Sequence, residues 1–264
     1  MVTTEDLDAL AAELLGVFRD HRLVRRTDVE IGSLSLDEAY GVQSRVIAAR
    51  TGAGERPAGW KVGCTSRAIQ GQFGLTEPVR GCLMRPHLHR SGTTLIAAHY
   101  LGCAVEPEFV FRIAKTIEPS ELADDQLLGS IAAVSAGIEV HNYTFVHGLP
   151  TSQELIASNA IHAAQIVSDE GRPAHSVDLA MEGVGLWVNG RLVASGIGAE
   201  IMGTGPLDSL RWLARHLDRV GRRVEAGELV IPGSAVGLVH VAAGDSVEAR
   251  FASLGSCHAT FSRH

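Results

Sequence analysis

The chain reads as an α+β protein: one compact domain of mixed strands preceded by a helical N-terminal extension. Three observations predict this class. Two capping-box signatures open amphipathic helices within the first fifty residues. From Trp60 onward, short β-rich runs are separated by glycine-containing turns. Those runs do not alternate regularly with helices, which disfavours a doubly wound parallel sheet. The expected boundaries are 1–55 for the extension and 56–264 for the domain.

Each element has a local cause. Thr3-x-x-Asp6 is the first capping box, and Leu7, Leu10, Ala11, Leu14, Leu15 and Phe18 follow at helical spacing. Ser35-x-x-Glu38 opens a second helix that runs to about Arg50, with Gly52 and Gly54 beyond its C-terminus. The segment from Gln153 to Ser168 is read as a helix. Val184–Val188 and Arg191–Ala194 flank Asn189-Gly190, the strongest short hairpin signal. Pro206 to Val220 is a helix with Leu207, Leu210, Leu213, Leu217 and Val220 on one stripe and Gly221 as its stop. Leu229–Ile231, Ser246–Phe251 and His258–Phe261 are strands. Gly203-x-Gly205 lacks the preceding strand and downstream acid of a dinucleotide fingerprint.

Composition bounds the function. The 264 residues are 45% hydrophobic and 20% charged, as in ordinary globular proteins. A formal net charge of −7 and the absence of a basic stripe argue against nucleic-acid binding. Cys64, Cys82, Cys103 and Cys257 show no C-x-x-C spacing, so free thiols in a reducing compartment are expected. The N-terminus has no signal-peptide pattern, and no run approaches the roughly 18 apolar residues of a membrane span. A cytoplasmic location is the expectation.

The chemistry concentrates in three acids. Val105-Glu106-Pro107-Glu108-Phe109-Val110-Phe111 reads as a strand, and so does Gly137-Ile138-Glu139-Val140. Side chains alternate along a strand, so Glu106 and Glu108 share one face while Val105, Phe109 and Phe111 share the other. Glu-x-Glu on a strand is ordinarily just a solvated face. Crowded in an apolar strand, however, carboxylates repel one another and resist desolvation. A divalent cation relieves both penalties, and all-oxygen ligation suits Mg²⁺, Mn²⁺ or Ca²⁺. Pro107 marks an edge or a bulge, since proline cannot donate to a ladder.

Several stretches carry a resemblance to a known family. Gly59-Trp60-Lys61-Val62-Gly63-Cys64-Thr65-Ser66 resembles the Gly-x-Lys-x-Gly-x-Thr-Ser segment of bacterial 2-keto-4-pentenoate hydratases. Val105-Glu106-Pro107-Glu108 is similar to their first metal motif, and Glu139 falls at their third carboxylate. Ala157-Ser158-Asn159-Ala160 resembles their Ala-Asp-Asn-Ala. Ser195-Gly196 through Gly203, Pro206-Leu207 and Trp212-Leu213-Ala214 continue the match. Gly227 to Ser234, Ala243-Gly244-Asp245 and Leu254-Gly255-Ser256 complete it over nearly the whole chain. These hydratases stand with the 2-oxo-3-enedioate (4-oxalocrotonate) decarboxylases in the fumarylacetoacetate hydrolase superfamily.

The resemblance implies a mixed β-roll of the fumarylacetoacetate hydrolase C-terminal-domain type with flanking helices. It also implies a divalent metal, Mg²⁺ or Mn²⁺, with Ca²⁺ able to replace it, held by Glu106, Glu108 and Glu139. Lys61 is the implied proton shuttle, its pKa expected to be lowered by burial. The substrate class is a short 2-oxo acid or its dienol, and a homo-oligomer is expected by analogy. Ser234 and Gly233 fall where the family's loop meets the substrate carboxylate. Asn159 is a candidate for a substrate oxygen, and Arg80 for an acidic substrate group.

The departures bear on the reaction. Val79 stands where the family carries an aspartate beside the lysine, Thr144 where it carries an arginine, and Ser158 where it carries an aspartate. His141, two residues past Glu139 and on its face, is a candidate compensating base. Hydration of a 2-hydroxy-2,4-dienoate leads; decarboxylation of a 2-oxo-3-enedioate, hydrolysis of an acylpyruvate-like acid, and a noncatalytic acid- or cation-binding relative are the alternatives.

Overall fold

The computed structural model describes residues 2–25, 29–120, 122–145 and 148–264. In chain order the elements are α1 (Thr4–Asp20), α2 (Leu36–Gly52), β1 (Pro57–Gly63), α3 (Arg67–Gln72), β2 (Val79–Met84), β3 (Leu88–Arg90), β4 (Thr93–Ile96), β5 (Ala104–Ile113), α4 (Asp124–Ser130), β6 (Ile131–His141), α5 (Ser152–Ala157), β7 (His162–Val167), β8 (Gly183–Val188), β9 (Arg191–Ile197), α6 (Pro206–Asp218), β10 (Leu229–Ile231), β11 (Val239–His240), β12 (Ser246–Phe251) and β13 (Gly255–Ser262).

The strands form two mixed sheets. The larger has the order β2-β1-β10-β5-β6-β7-β3, with β11 also on β5; the smaller has the order β4-β13-β12-β8-β9. Parallel pairs β1/β10, β3/β7 and β4/β13 interrupt otherwise antiparallel ladders. The sheets pack face to face, β12 and β13 lying on β6. Between them sits the main core, in which Val105, Phe109, Phe111, Ala136, Ile138 and Val140 of the larger sheet are fully buried. The Phe109 and Phe251 rings meet edge to face at 5.0 Å. With one face of β5 and β6 committed to this core, the alternation sends Glu106, Glu108, Glu139 and His141 to the other.

Both predicted N-terminal helices form, each with its reciprocal capping box. They pack with α5, Leu75 and Val79 into a second apolar cluster beside β2. Gln43 of α2 ties the layers by donating to the carbonyls of Arg80 and Ile156 at 3.0 and 2.8 Å. The Asn189-Gly190 hairpin joins β8 to β9 with both turn residues at positive φ. The four cysteines are free. No described helix is long and apolar enough to cross a membrane.

Three expectations are corrected. The helix expected over Gln153–Ser168 is only α5; Asn159, Ala160 and Ile161 then turn through φ of 63°, 53° and 54°, and β7 follows. A capping box at Thr151 opens α5, but pairing of the apolar run after His162 with β6 outweighs its helical propensity. Pro107 marks neither an edge nor a bulge. It lies inside β5, in continuous register with β6, where its other neighbours β10 and β11 leave a gap. There its carbonyl accepts from Ser234 Oγ at 3.0 Å. Finally, α6 ends at Asp218. Arg222 N–H returns to the Leu217 carbonyl and Gly221 adopts φ 68°, leaving Val220 exposed rather than on the buried stripe.

Candidate metal centre

Register brings the acids together. Glu106 on β5 stands directly opposite Glu139 on β6, and Glu108 opposite Gly137. Neighbours across a strand pair are about 5 Å apart at Cβ and diagonal ones are within reach of long side chains. His141, diagonal to Glu106, places Nε2 3.0 Å from Glu106 Oε2 and 3.7 Å from Glu139 Oε2. One donor atom from each of Glu106, Glu139 and His141 lies within 4.8 Å of the others. Glu108 is outside this tight trio but on the same face, fully buried, and receives a hydrogen bond from the Gly233 backbone N–H.

The charges are unevenly compensated. Burial pushes Glu108 well above the usual carboxylate range, and the nearby Glu139 and Glu106 push it further. Burial acts the same way on Glu139, but Lys61, His141 and His162 outweigh it and hold its carboxyl well below the usual range. Lys61 Nζ lies 3.1 Å from Glu139 Oε1 and donates to the Ala160 carbonyl at 3.3 Å. Burial favours the neutral amine of Lys61, yet Glu139, Glu106 and Glu108 together raise its pKa. Without a cation the acids that gather there thus outweigh the burial expected to lower its pKa beside a bound ion.

These residues fit a hard divalent cation. Glu108 Oε2 and Glu139 Oε2 are buried without a hydrogen-bond partner among the described residues. Such orphaned anionic oxygens are costly unless a cation meets them. Four donor groups of oxygen and imidazole character suit Mg²⁺ or Mn²⁺.

The surroundings are shaped for Lys61. On β1 it pairs with Gly81 of β2, where a Cβ would meet Lys61 Cγ at 3.1 Å and the Asn159 carbonyl at 2.6 Å. Glycine is thus required for the lysine to pass between β2 and the left-handed turn. A cavity of about 440 Å³ opens beside this centre, lined by Lys61, Glu106, Glu108, His141, Gly233 and Ser234 among others. At Gly233, φ is 111° and a Cβ would sit 2.6 Å from Thr65 Cγ2, so the loop after β10 closes on Thr65. Ser234 Oγ already bonds the Pro107 carbonyl and the Val236 N–H.

Two sequence candidates lie elsewhere. Arg80 follows the opposite face of β2 from Gly81. It is buried over the Tyr40 ring at 4.5 Å, donates to Gln43 Oε1 at 2.8 Å, and is absent from the cavity wall. Asn159 satisfies the backbone of Cys82, accepting at 2.7 Å and donating at 2.9 Å, so its amide holds β2 rather than a ligand. Conversely, His162 gave no signal in the sequence. It is buried, and its Nδ1 donates to Glu139 Oε1 at 2.7 Å. Only the β6/β7 register, interrupted between Val140 and His141, brings it there.

Comparisons with known proteins accord with this geometry. No family model matches the chain. It is 30% identical over 233 residues to the TodF product hydratase of Pseudomonas putida (strain F1), covering 88% of this chain and 87% of that one. It is 30% identical over 224 residues to a 4-oxalocrotonate decarboxylase of a Pseudomonas species, covering 85% and 86%. Among solved structures, 4-oxalocrotonate decarboxylase from Pseudomonas putida G7, complexed with magnesium and adipate, superposes with a TM-score of 0.93 at 24% identity over 99% of both chains. Fumarylpyruvate hydrolase from Pseudomonas aeruginosa, with Mn²⁺ and pyruvate, gives 0.60 at 17% identity, over 79% of this chain and 90% of that one.

Proposed function

Because the chain belongs to the family of the 2-keto-4-pentenoate hydratases and 4-oxalocrotonate decarboxylases, within the fumarylacetoacetate hydrolase superfamily, we propose that it is a metal-dependent lyase that hydrates a 2-hydroxy-2,4-dienoate to a 4-hydroxy-2-oxo acid. Glu106, Glu108 and Glu139 would hold a divalent Mg²⁺ or Mn²⁺, with His141 adding a nitrogen beside them. The ion would supply Lewis acidity toward the carboxylate and 2-oxo oxygens of the substrate.

The chain's own residues carry the proton. Among the described residues Lys61 Nζ is the only lysine or arginine nitrogen on the cavity wall, and it is anchored by Glu139 and the Ala160 carbonyl. In this reading its ammonium protonates C5 of the dienol while the enol O–H proton passes to the amine, leaving a conjugated 2-oxo acid. Water then adds its hydroxyl at C4, and the proton it releases is delivered to C3. Glu139 takes the part of the aspartate that the family carries where this chain has Val79, which lines the cavity as an apolar wall. His162 bonds Glu139 and orients its carboxylate, as outer partners do in metal sites. Ser234 and the Gly233 loop border the substrate's carboxylate end.

One observation favours hydration over decarboxylation of a dicarboxylate. Among the described residues the cavity lining has no lysine or arginine beyond Lys61, Arg80 being turned away, and it carries Glu200, which is exposed. A second substrate carboxylate would be desolvated without a partner. The test supplies 2-hydroxypenta-2,4-dienoate and 4-oxalocrotonate with Mg²⁺ or Mn²⁺ and weighs the products. Addition of water to the first supports the reading, whereas loss of CO₂ from the second at a higher kcat/KM contradicts it.

A further inference from the structure

We infer that this cavity is built for a dienol or 2-oxo acid bearing an uncharged apolar tail several carbons longer than the five-carbon minimum. The inference rests on the hydratase reading and adds the class of substrate. The lining combines the polar groups of Lys61, Glu106, Glu108, His141 and Ser234 with the apolar side chains of Ile69, Phe73, Leu155, Val236 and Leu238.

Volume gives the first argument. A 2-hydroxypentadienoate has eight non-hydrogen atoms. At a generous allowance of about 30 Å³ for each water-sized group it fills roughly 240 Å³. The cavity holds about 440 Å³, which leaves space for about six more carbons. The five-carbon acid, held by the polar groups, would therefore leave part of the apolar lining wet.

The second argument comes from α3. None of its residues is buried, yet Ile69 shows a large apolar side chain at 40% exposure. The helix contributes nothing to either core, and its apolar residues Ala68 and Ile69 instead border the cavity. The third is charge: Glu200 in the lining, with no arginine among the described lining residues, disfavours a carboxylate at the far end of the tail. A neutral alkyl or aryl substituent satisfies all three conditions.

The experiment titrates the Mn²⁺-loaded protein with unbranched saturated 2-oxo acids from five to ten carbons and with 2-oxo dicarboxylates of equal length. Turnover of the matching alkyl dienols is followed in parallel. Each of the first three added methylenes should raise affinity and kcat/KM about 4-fold, the transfer increment of a buried CH₂, or roughly 60-fold together. Ile69→Lys, on an exposed helix face, should flatten this slope and improve dicarboxylate binding. A flat or falling series with the five-carbon acid still bound and hydrated overturns the tail assignment alone. Dicarboxylates binding wild type as well as monocarboxylates of the same length also overturn it. Absence of binding by every 2-oxo acid overturns the hydratase reading and this inference together.

Discussion

Replacing Lys61 with methionine tests both halves of the site. The side chain is 4% exposed, and among the described residues its ammonium is the only lysine or arginine charge within reach of three carboxylates that share a sheet face. Methionine keeps the packing between Gly81 and the left-handed turn but removes the charge. In metal-free protein this leaves Glu139 without its 3.1 Å partner. Breaking a buried pair in this way costs about 3–5 kcal/mol. At about 2–4 °C per kcal/mol for a protein of this size, Tm falls by roughly 6–20 °C. A bound divalent cation substitutes for the missing charge, so saturating Mn²⁺ should largely close the gap. Turnover should fall by about 10²–10⁴, the usual contribution of a positioned acid–base group. Thermal melts with and without Mn²⁺, together with loss of dienol absorbance, read both effects. Full activity in the variant, or an equal Tm deficit with and without metal, would refute the reasoning.

Other outcomes follow from groups around the centre. His87 and His216 are pushed down from 6.5 to about 4, chiefly by burial, so folding favours their neutral forms. Their contribution to stability is complete above about pH 6.5 and is lost as pH falls toward 4; urea midpoints should decline across that window, less so in His216→Gln, and a flat profile contradicts the assignment. Burial pushes the Cys64 thiol up to about 11, so although it lines the cavity its thiolate fraction at pH 8 is about 10⁻³. Alkylation by iodoacetamide should accordingly be about two orders slower than for a free thiol, which mass spectrometry measures directly. Gly233→Ala places a Cβ against Thr65 at a φ of 111°, which should destabilise the protein by about 1–3 kcal/mol and weaken Mn²⁺ binding by displacing the N–H that Glu108 accepts from. Unchanged Mn²⁺ affinity in a folded Gly233→Ala protein would sever that loop from the metal centre.

Local signals in the sequence were reliable where short-range physics decides. The capping boxes at Thr3 and Ser35 and the Asn189-Gly190 turn depend on contacts within four residues, and each formed. The shared face of Glu106 and Glu108 followed from alternation, because an apolar core claims the other face, whereas Glu139 was joined to them by the family resemblance and meets them through the β5/β6 register. What escaped depends on partners distant in sequence. The run after Asn159 suits a helix by itself and becomes β7 only because β6 is there to pair with it. Arg80 has the charge for substrate binding, but its parity relative to Gly81 turns it toward Tyr40 and Gln43. His162 reaches Glu139 across an irregular register that no spacing rule encodes. Lys61 is buried as expected, and without a cation the same acids that mark the site outweigh its desolvation and raise its pKa.

A calorimetric titration of Mn²⁺ into the wild-type protein and Glu139→Gln goes to the root of the matter. One ion per chain should bind the wild type, and the variant, folded and with Lys61 still in place, should bind it at least about 100-fold more weakly. Heat-silent wild type, or an affinity indifferent to the loss of the Glu139 charge, would mean that the facing strands do not form a cation site.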